Sequence, residues 1–213
     1  TRKIGMRKIV MEMPPFYAME VFERAQELER QGRSIIHLEV GEPDFPTPPC
    51  IVKAAEKAIR EGKSRYTASV CILELREAIA EHYLEKYGVS VSPDQIVVTD
   101  GSSPALMMIF SVLLETGEEV IMSDPHYVCY PNMVTFLDCT PVFVKVNEDE
   151  GFRFDVEKIK EKIGHKTQAI VINSPANPTG QVLDASTMDE IAKLGPTVVS
   201  DEIYHGLIYE GKE

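Results

Sequence analysis

The sequence predicts an α/β fold, a mostly parallel sheet flanked by helices. Three observations predict it. From Gln95 onward, five short apolar runs alternate with helical stretches: Ile96–Thr99, Glu119–Met122, Val142–Val144, Ala169–Ile172 and Thr197–Ser200. Most of these runs are apolar on both faces, as expected of strands buried between helix layers. The segments that follow them are mostly dense in polar residues, Gly or Pro, which suits loops at the carboxyl ends of parallel strands.

The composition agrees. The chain has 213 residues, 44% of them hydrophobic and 26% charged, which is ordinary for a globular protein. Its formal net charge of −12 opposes binding to nucleic acid and to anionic membrane surfaces. No apolar run approaches the length that spans a bilayer, and the basic N-terminus lacks the apolar core of a signal peptide. Cys50, Cys71, Cys129 and Cys139 form no C-x-x-C pair and have no histidine at a metal spacing. They read as free thiols in a reducing, cytoplasmic setting, with no metal site.

The elements follow in order. Met19, Phe22, Ala25 and Leu28 repeat every three residues, which predicts a helix over 17–31 that Gly32 stops. Ile35–Val40 reads as a brief strand. Pro48 and Pro49 open a helix that runs to about Gly62, and a further helix spans 73–87 and ends at Gly88. Among the later runs, helices are expected at 105–114, 130–137, 156–163 and 187–194, with a turn at Asp149-Glu150-Gly151.

In open α/β sheets, ligands sit beyond the carboxyl ends of the strands. Five segments there, or near by, carry candidate chemistry. In Gly101-Ser102-Ser103-Pro104 a strand runs into a helix start, with proline at the first helical position and serine as cap. The free N–H groups suit a phosphate, although a plain capped turn has the same pattern. Asn173-Ser174-Pro175-Ala176-Asn177-Pro178-Thr179-Gly180 is a stiff loop that holds the Asn177 amide at one point, or simply a proline-rich connection. Asp201, at a buried strand end, needs a partner: a cationic ligand nitrogen or a protein donor. Tyr204, three residues on, either points at the same ligand or packs in the core. Tyr127, after Asp124-Pro125-His126, either stacks on a planar ligand or packs. Gly41 in Gly41-Glu42-Pro43-Asp44-Phe45 permits close backbone approach, or belongs to a rigid linker.

Together these segments resemble the class I/II aminotransferases, which depend on pyridoxal 5'-phosphate (PLP) and have fold type I. The landmarks run in family order: Gly41-Glu42-Pro43-Asp44-Phe45, Tyr66 in Arg65-Tyr66-Thr67-Ala68-Ser69, Leu75-Arg76-Glu77-Ala78, Gly101-Ser102-Ser103, the 173–180 loop and Ser200-Asp201-Glu202-Ile203-Tyr204. The resemblance implies that residues 1–47 form an N-terminal segment and part of a small domain. It implies that residues 48–213 form the large cofactor-binding domain, incomplete at its C-terminus. Ser102 and Ser103 would hold the cofactor phosphate, Tyr127 would stack on the ring, and Asn177 and Tyr204 would bond the ring's phenolate oxygen. Asp201 would pair with the ring nitrogen, and Gly41 would lie beside the substrate carboxylate. Tyr66 would reach the phosphate of the partner subunit, which implies a homodimer.

The implied function is transfer of an amino group from an amino acid to a 2-keto acid. A β-lyase or decarboxylase of the same fold is an alternative, as is a non-catalytic ligand-binding module. No catalytic residue is assigned within this chain. The family's cofactor-binding lysine stands well downstream of the Asp-x-x-Tyr segment, whereas Lys212 follows closely without the expected motif. The chain is therefore expected to be the N-terminal part of a longer protein and to be inactive alone. Two departures from the family pattern stand out. Cys71 replaces a usual glycine, and Pro104 follows the two serines.

Overall fold

The computed structural model describes residues 5–209. They form two compact units, one comprising residues 5–16 with 102–209, the other Tyr17–Gly101. These packing units cut the chain elsewhere than at residue 47, the boundary expected for domains of the complete fold.

The larger unit is built on four parallel strands: β1 (Glu119–Asp124), β2 (Thr140–Lys145), β3 (Thr167–Asn173) and β4 (Thr197–Asp201). Their spatial order is β2-β1-β3-β4. Helices α5 (Ser102–Leu113), α6 (Cys129–Phe136), α7 (Val156–Lys160) and α8 (Ala185–Ala192) supply the covering layers, and a short α1 (Lys8–Glu12) lies at the N-terminal end. Side chains alternate along each strand, and the alternation divides the core in two. Val120 and Met122 of β1, with Ala169 and Val171 of β3, pack with Leu106, Phe110, Tyr130 and Val134 of α5 and α6. Ile121, Ile170 and Ile172 point the other way, to Val156, Ile159 and Ile191 of α7 and α8. The central strands β1 and β3 are thus buried on both faces, whereas β2 and β4 are only partly covered.

Local signals set the helix boundaries. Asp155 caps α7 through the N–H of Glu157 at 2.8 Å, and Asp184 caps α8 through that of Thr187 at 2.8 Å. Hydrogen bonds from Ser186 first, then from Thr187, hold the Asp184 carboxyl down at about 2.

The smaller unit contains α2 (Tyr17–Arg30), α3 (Pro49–Arg60) and α4 (Leu73–Tyr87), closely matching the helices read from the sequence. Gly32 and Gly88 follow α2 and α4 with positive φ. Arg76 of α4 is buried and donates to the carbonyl of Pro93 at 2.7 Å.

Several expectations need correction. Among the described residues four strands form, not five. Ile96–Thr99 joins no ladder among the described strands, although Ile96 has extended backbone (φ −109°, ψ 124°). A strand needs a hydrogen-bonded neighbour as well as an apolar pattern. The same reason dissolves the brief strand at Ile35–Val40, where Ile36 and Leu38 are exposed. His37 there is held by Glu39 at 2.6 Å and Glu29 of α2 at 3.0 Å. Helix α5 begins at Ser102, so Pro104 is its third residue rather than its first. Proline is tolerated there because N–H groups of the first turn have no intrahelical acceptor. Helix α7 stops at Lys160, short of the expected 163. Among the described residues no helix is long and apolar enough to cross a membrane, and all four cysteines are free.

Cys71 has φ +80°, in the left-handed region where a side chain is strained and glycine is not. That accounts for glycine as the usual residue of the pattern here. Glycine also gains entropy in the unfolded chain, which offsets part of the relief. Cys71→Gly is therefore expected to stabilise the fold by about 0.5–1 kcal/mol, measured by urea denaturation.

Candidate functional site

The ends of β3 and β4 form the floor of the site. Their register places Asn173 beside Asp201. The Asn173 side chain then works in two directions. Its Nδ2 donates to the Asp201 carbonyl at 3.0 Å, and its Oδ1 accepts from the backbone N–H of Asn177 at 2.6 Å. The 173–180 loop is thereby tied to the strand beside it. Further bonds close the loop on itself. Gly180 donates to the Ala176 carbonyl at 2.7 Å, and Ala176 donates to the Gln181 carbonyl at 2.9 Å. The buried Ser174 hydroxyl accepts from Leu183 N–H at 3.0 Å. The peptide bonds preceding Pro175 and Pro178 are cis. Stiffness in this loop, read from its prolines, rests equally on these side-chain bonds.

A cavity of about 100 Å³ opens above that floor. Ser102, Tyr127, Asn177, Asp201 and Tyr204 all line it, together with Tyr130, Asn173 and Ile203. Five of the sequence-predicted residues thus meet in one hollow. A second hollow of about 540 Å³ adjoins it and shares Asn177 and Tyr204. Asn177 Nδ2 lies 3.4 Å from the Tyr204 hydroxyl, so amide and phenol present neighbouring polar atoms. Ser102 and Ser103 are the first two residues of α5, where N–H groups are free to face a ligand. Ser103 does not line the cavity, but its side chain interacts with Tyr127.

Asp201 is partly buried, and its carboxylate has two protein donors. The Tyr130 hydroxyl donates to Oδ2 at 2.6 Å, and the Ile203 N–H donates to Oδ1 at 3.2 Å. A carboxylate oxygen accepts more than one hydrogen bond, so capacity toward a ligand donor remains. Tyr127 meets Tyr130 edge-on at 5.3 Å, and Phe16 meets Tyr127 edge-on at 6.3 Å. Burial first, then Cys129, pushes the Tyr127 phenol up to about 12, against a smaller opposing pull from Ser103. Tyr130 is pushed up further, by burial and then by the Asp201 carboxylate, so it stays a donor. His126 takes no part in the cavity. It stacks on Phe143 at 5.1 Å and its Nδ1 lies 3.0 Å from the Ser123 carbonyl.

Gly41 and Tyr66 belong to the other unit and are exposed at its surface. A Cβ added at Gly41 would meet nothing within 4 Å. Lys212 lies outside the described residues.

Two contributors escaped the sequence reading. Asn173 was visible only as the first letter of a loop, because its role depends on strand register. Tyr130 stood only as the first residue of a predicted helix. The three-residue step from Tyr127 to Tyr130, which puts both rings on one side of a helical turn, was the available signal.

Residues 33–213 match the family model of aminotransferase class I and II. The chain belongs to the class I and II aminotransferases. Among curated class I and II aminotransferases and similar enzymes, it is 44% identical over 207 residues to the (5-formylfuran-3-yl)methyl phosphate transaminase of Methanocaldococcus jannaschii, covering 97% of this chain and 54% of that protein. It is 41% identical over 212 residues to the aspartate/prephenate aminotransferase of Thermus thermophilus, covering 98% of this chain and 55% of that one. The structure superposes on the aspartate aminotransferase of Thermus thermophilus with maleate at a TM-score of 0.93 and 40% identity, covering 98% of this chain and 56% of the other. For the alanine aminotransferase of Pyrococcus furiosus the TM-score is 0.90 at 36% identity, over 98% of this chain and 55% of the other. The chain therefore spans about half the length of the aminotransferases it matches.

Replacing Asn173 removes both of its hydrogen bonds. Asn173→Ala is expected to cost about 1–3 kcal/mol, at roughly 0.5–1.5 kcal/mol per bond, measured by urea denaturation.

Proposed function

We propose that the whole protein transfers an amino group from an amino acid to a 2-keto acid, using pyridoxal 5'-phosphate held by this chain. The observation that carries this reading is the convergence of Ser102, Tyr127, Asn177, Asp201 and Tyr204 on one cavity. Family membership makes the reaction class the natural one for that cavity.

The donor set fits the cofactor. Asp201 offers an anionic acceptor already oriented by two donors, which suits a protonated ring nitrogen. Asn177 and Tyr204, 3.4 Å apart, offer donors for the ring's phenolate oxygen. The start of α5 offers backbone N–H groups and the hydroxyls of Ser102 and Ser103 for the phosphate. Tyr127 supplies an aromatic face for stacking. When bound, pyridoxal phosphate supplies the electron sink for the carbon that loses a proton; the protein orients and tunes it. Asp201 keeps a positive charge on the ring nitrogen, and Asn177 and Tyr204 steady the negative charge on the phenolate side. The larger adjoining hollow, next to Asn177 and Tyr204, leaves room for substrate.

Gly41 is proposed to lie beside the substrate carboxylate. Tyr66, fully exposed on its own unit, is proposed to reach the phosphate bound by a second copy in a homodimer. A cytoplasmic location accords with four free thiols. Aspartate, prephenate and alanine appear in the names of similar proteins; amino acids such as aspartate and alanine, with a 2-keto acid such as prephenate, are proposed substrates.

The test is made on the full-length protein. With pyridoxal phosphate it should show an absorbance band that borohydride reduces; absence of the band contradicts the reading. Asp201→Ala should lower kcat/KM for amino transfer by at least about 10²–10³-fold, the scale for removal of one preorganised electrostatic partner. Retention of full activity would remove Asp201 from the proposed role.

A further inference from the structure

The segment that follows α2 is tied back to that helix through one histidine. His37 Nε2 lies 3.0 Å from Oε1 of Glu29, in the last turn of α2, and His37 Nδ1 lies 2.6 Å from Oε1 of Glu39. Phe22 meets the imidazole edge-on at 6.1 Å. Phe22 and Glu29 stand about two turns apart on one face of α2, so the helix holds the histidine with a ring and a charge. The second oxygen of Glu39, Oε2, accepts from the Leu38 N–H at 2.8 Å. Of the three side chains, that of Glu39 is the most covered. Its carboxylate thereby holds both the imidazole and the backbone beside it.

Carboxylates only accept hydrogen bonds, and a neutral imidazole carries a single N–H. Both contacts are therefore hydrogen bonds only when both ring nitrogens are protonated. We propose that His37 is a proton-operated latch: as an imidazolium it clips residues 37–39 to α2, and on losing one proton it lets them go. The neutral ring sets a nitrogen lone pair against one of the two carboxylates, at 3.0 Å or less, and the two repel. The latch depends on no ligand. Gly41, the residue proposed to lie beside the substrate carboxylate, follows Glu39 by two positions. Release therefore loosens a segment that leads to the substrate; this consequence rests on the proposed function, whereas the latch does not.

The charged groups that face His37 are Glu29 from α2 and Glu39 from its own segment; Phe22 adds an uncharged ring edge. The Glu39 hydrogen bond first, then that of Glu29, pushes the imidazole up from its ordinary value of 6.5. A group raised on folding contributes its stability in full below its unfolded value and loses it as pH climbs through the folded one. The latch is therefore closed below 6.5 and opens on the alkaline side. The His37 hydrogen bond holds the Glu39 carboxyl below its ordinary 4.5. Its contribution is present above that value and is lost only as pH falls through the lowered one.

The experiment uses the full-length protein with no added ligand. Hydrogen exchange, corrected for intrinsic rates, reads the protection of residues 35–41 between about pH 5 and 9, the range in which a perturbed histidine titrates. Nitrogen-15 NMR reads the charge of His37 over the same range. Wild type should have both ring nitrogens protonated at the acid end. Its protection should fall about 3–5-fold as the ring loses a proton, the scale of an exposed charge pair. His37→Gln cannot carry the charge and should show the lower protection throughout, with no step. Glu29→Gln leaves the histidine with one anion, so its titration and its protection step should both move to lower pH. That second variant keeps the histidine and decides the matter should His37→Gln disturb the fold. Protection in wild type that ignores the titration of His37, or a step that Glu29→Gln leaves in place, overturns the proposal. Neither readout involves pyridoxal phosphate, so either outcome leaves the proposed function untouched.

Discussion

Parallel pairing of β3 with β4 is the constraint on which the site depends. It sets Asn173 level with Asp201, and everything polar above the sheet is referenced to that pair. Asn173 converts strand register into loop position, because one amide bonds the neighbouring strand and the following loop together. A slip of one residue would turn the Asp201 side chain to the opposite face. The apolar alternation resists such a slip, since Ile170 and Val171 belong to different cores. Hydrophobic patterning deep in the sheet therefore fixes where an acid stands at its edge.

The site is also a compromise between core and chemistry. Tyr130 serves both, with its ring in the α5–α6 core and its hydroxyl on Asp201. Tyr127 sits one layer out, partly buried, between Phe16 and Tyr130. The aromatic row leads from the interior to the cavity. A carboxylate at a strand end would be costly without partners; two donors from the protein hold it while leaving acceptor capacity for a ligand.

Much of this was legible beforehand for physical reasons. The central strands β1 and β3 announced themselves because burial on both faces demands unbroken apolar runs. Helix α4 could be bounded at both ends because Gly88 ends it in a left-handed cap. Ser102, Tyr127, Asn177, Asp201 and Tyr204 could be nominated together because carboxyl ends of parallel strands converge. What escaped depended on partners remote in sequence. Ile96–Thr99 and Ile35–Val40 had apolar patterns but found no neighbouring strand among the described residues. Asn173 needed the register and Tyr130 needed the reach from α6 to the end of β4, 71 residues on; neither is written in local periodicity. Cys71 was a departure from a family pattern until its positive φ gave the reason.

The central claim is that Asp201 meets the ring nitrogen of a cofactor seated in the β3–β4 cavity. Nitrogen-15 NMR of ring-labelled pyridoxal phosphate on the full-length protein tests it most directly. The account predicts a protonated ring nitrogen at neutral pH that becomes unprotonated in Asp201→Ala. A nitrogen unprotonated in wild type, or one indifferent to the loss of Asp201, would contradict it.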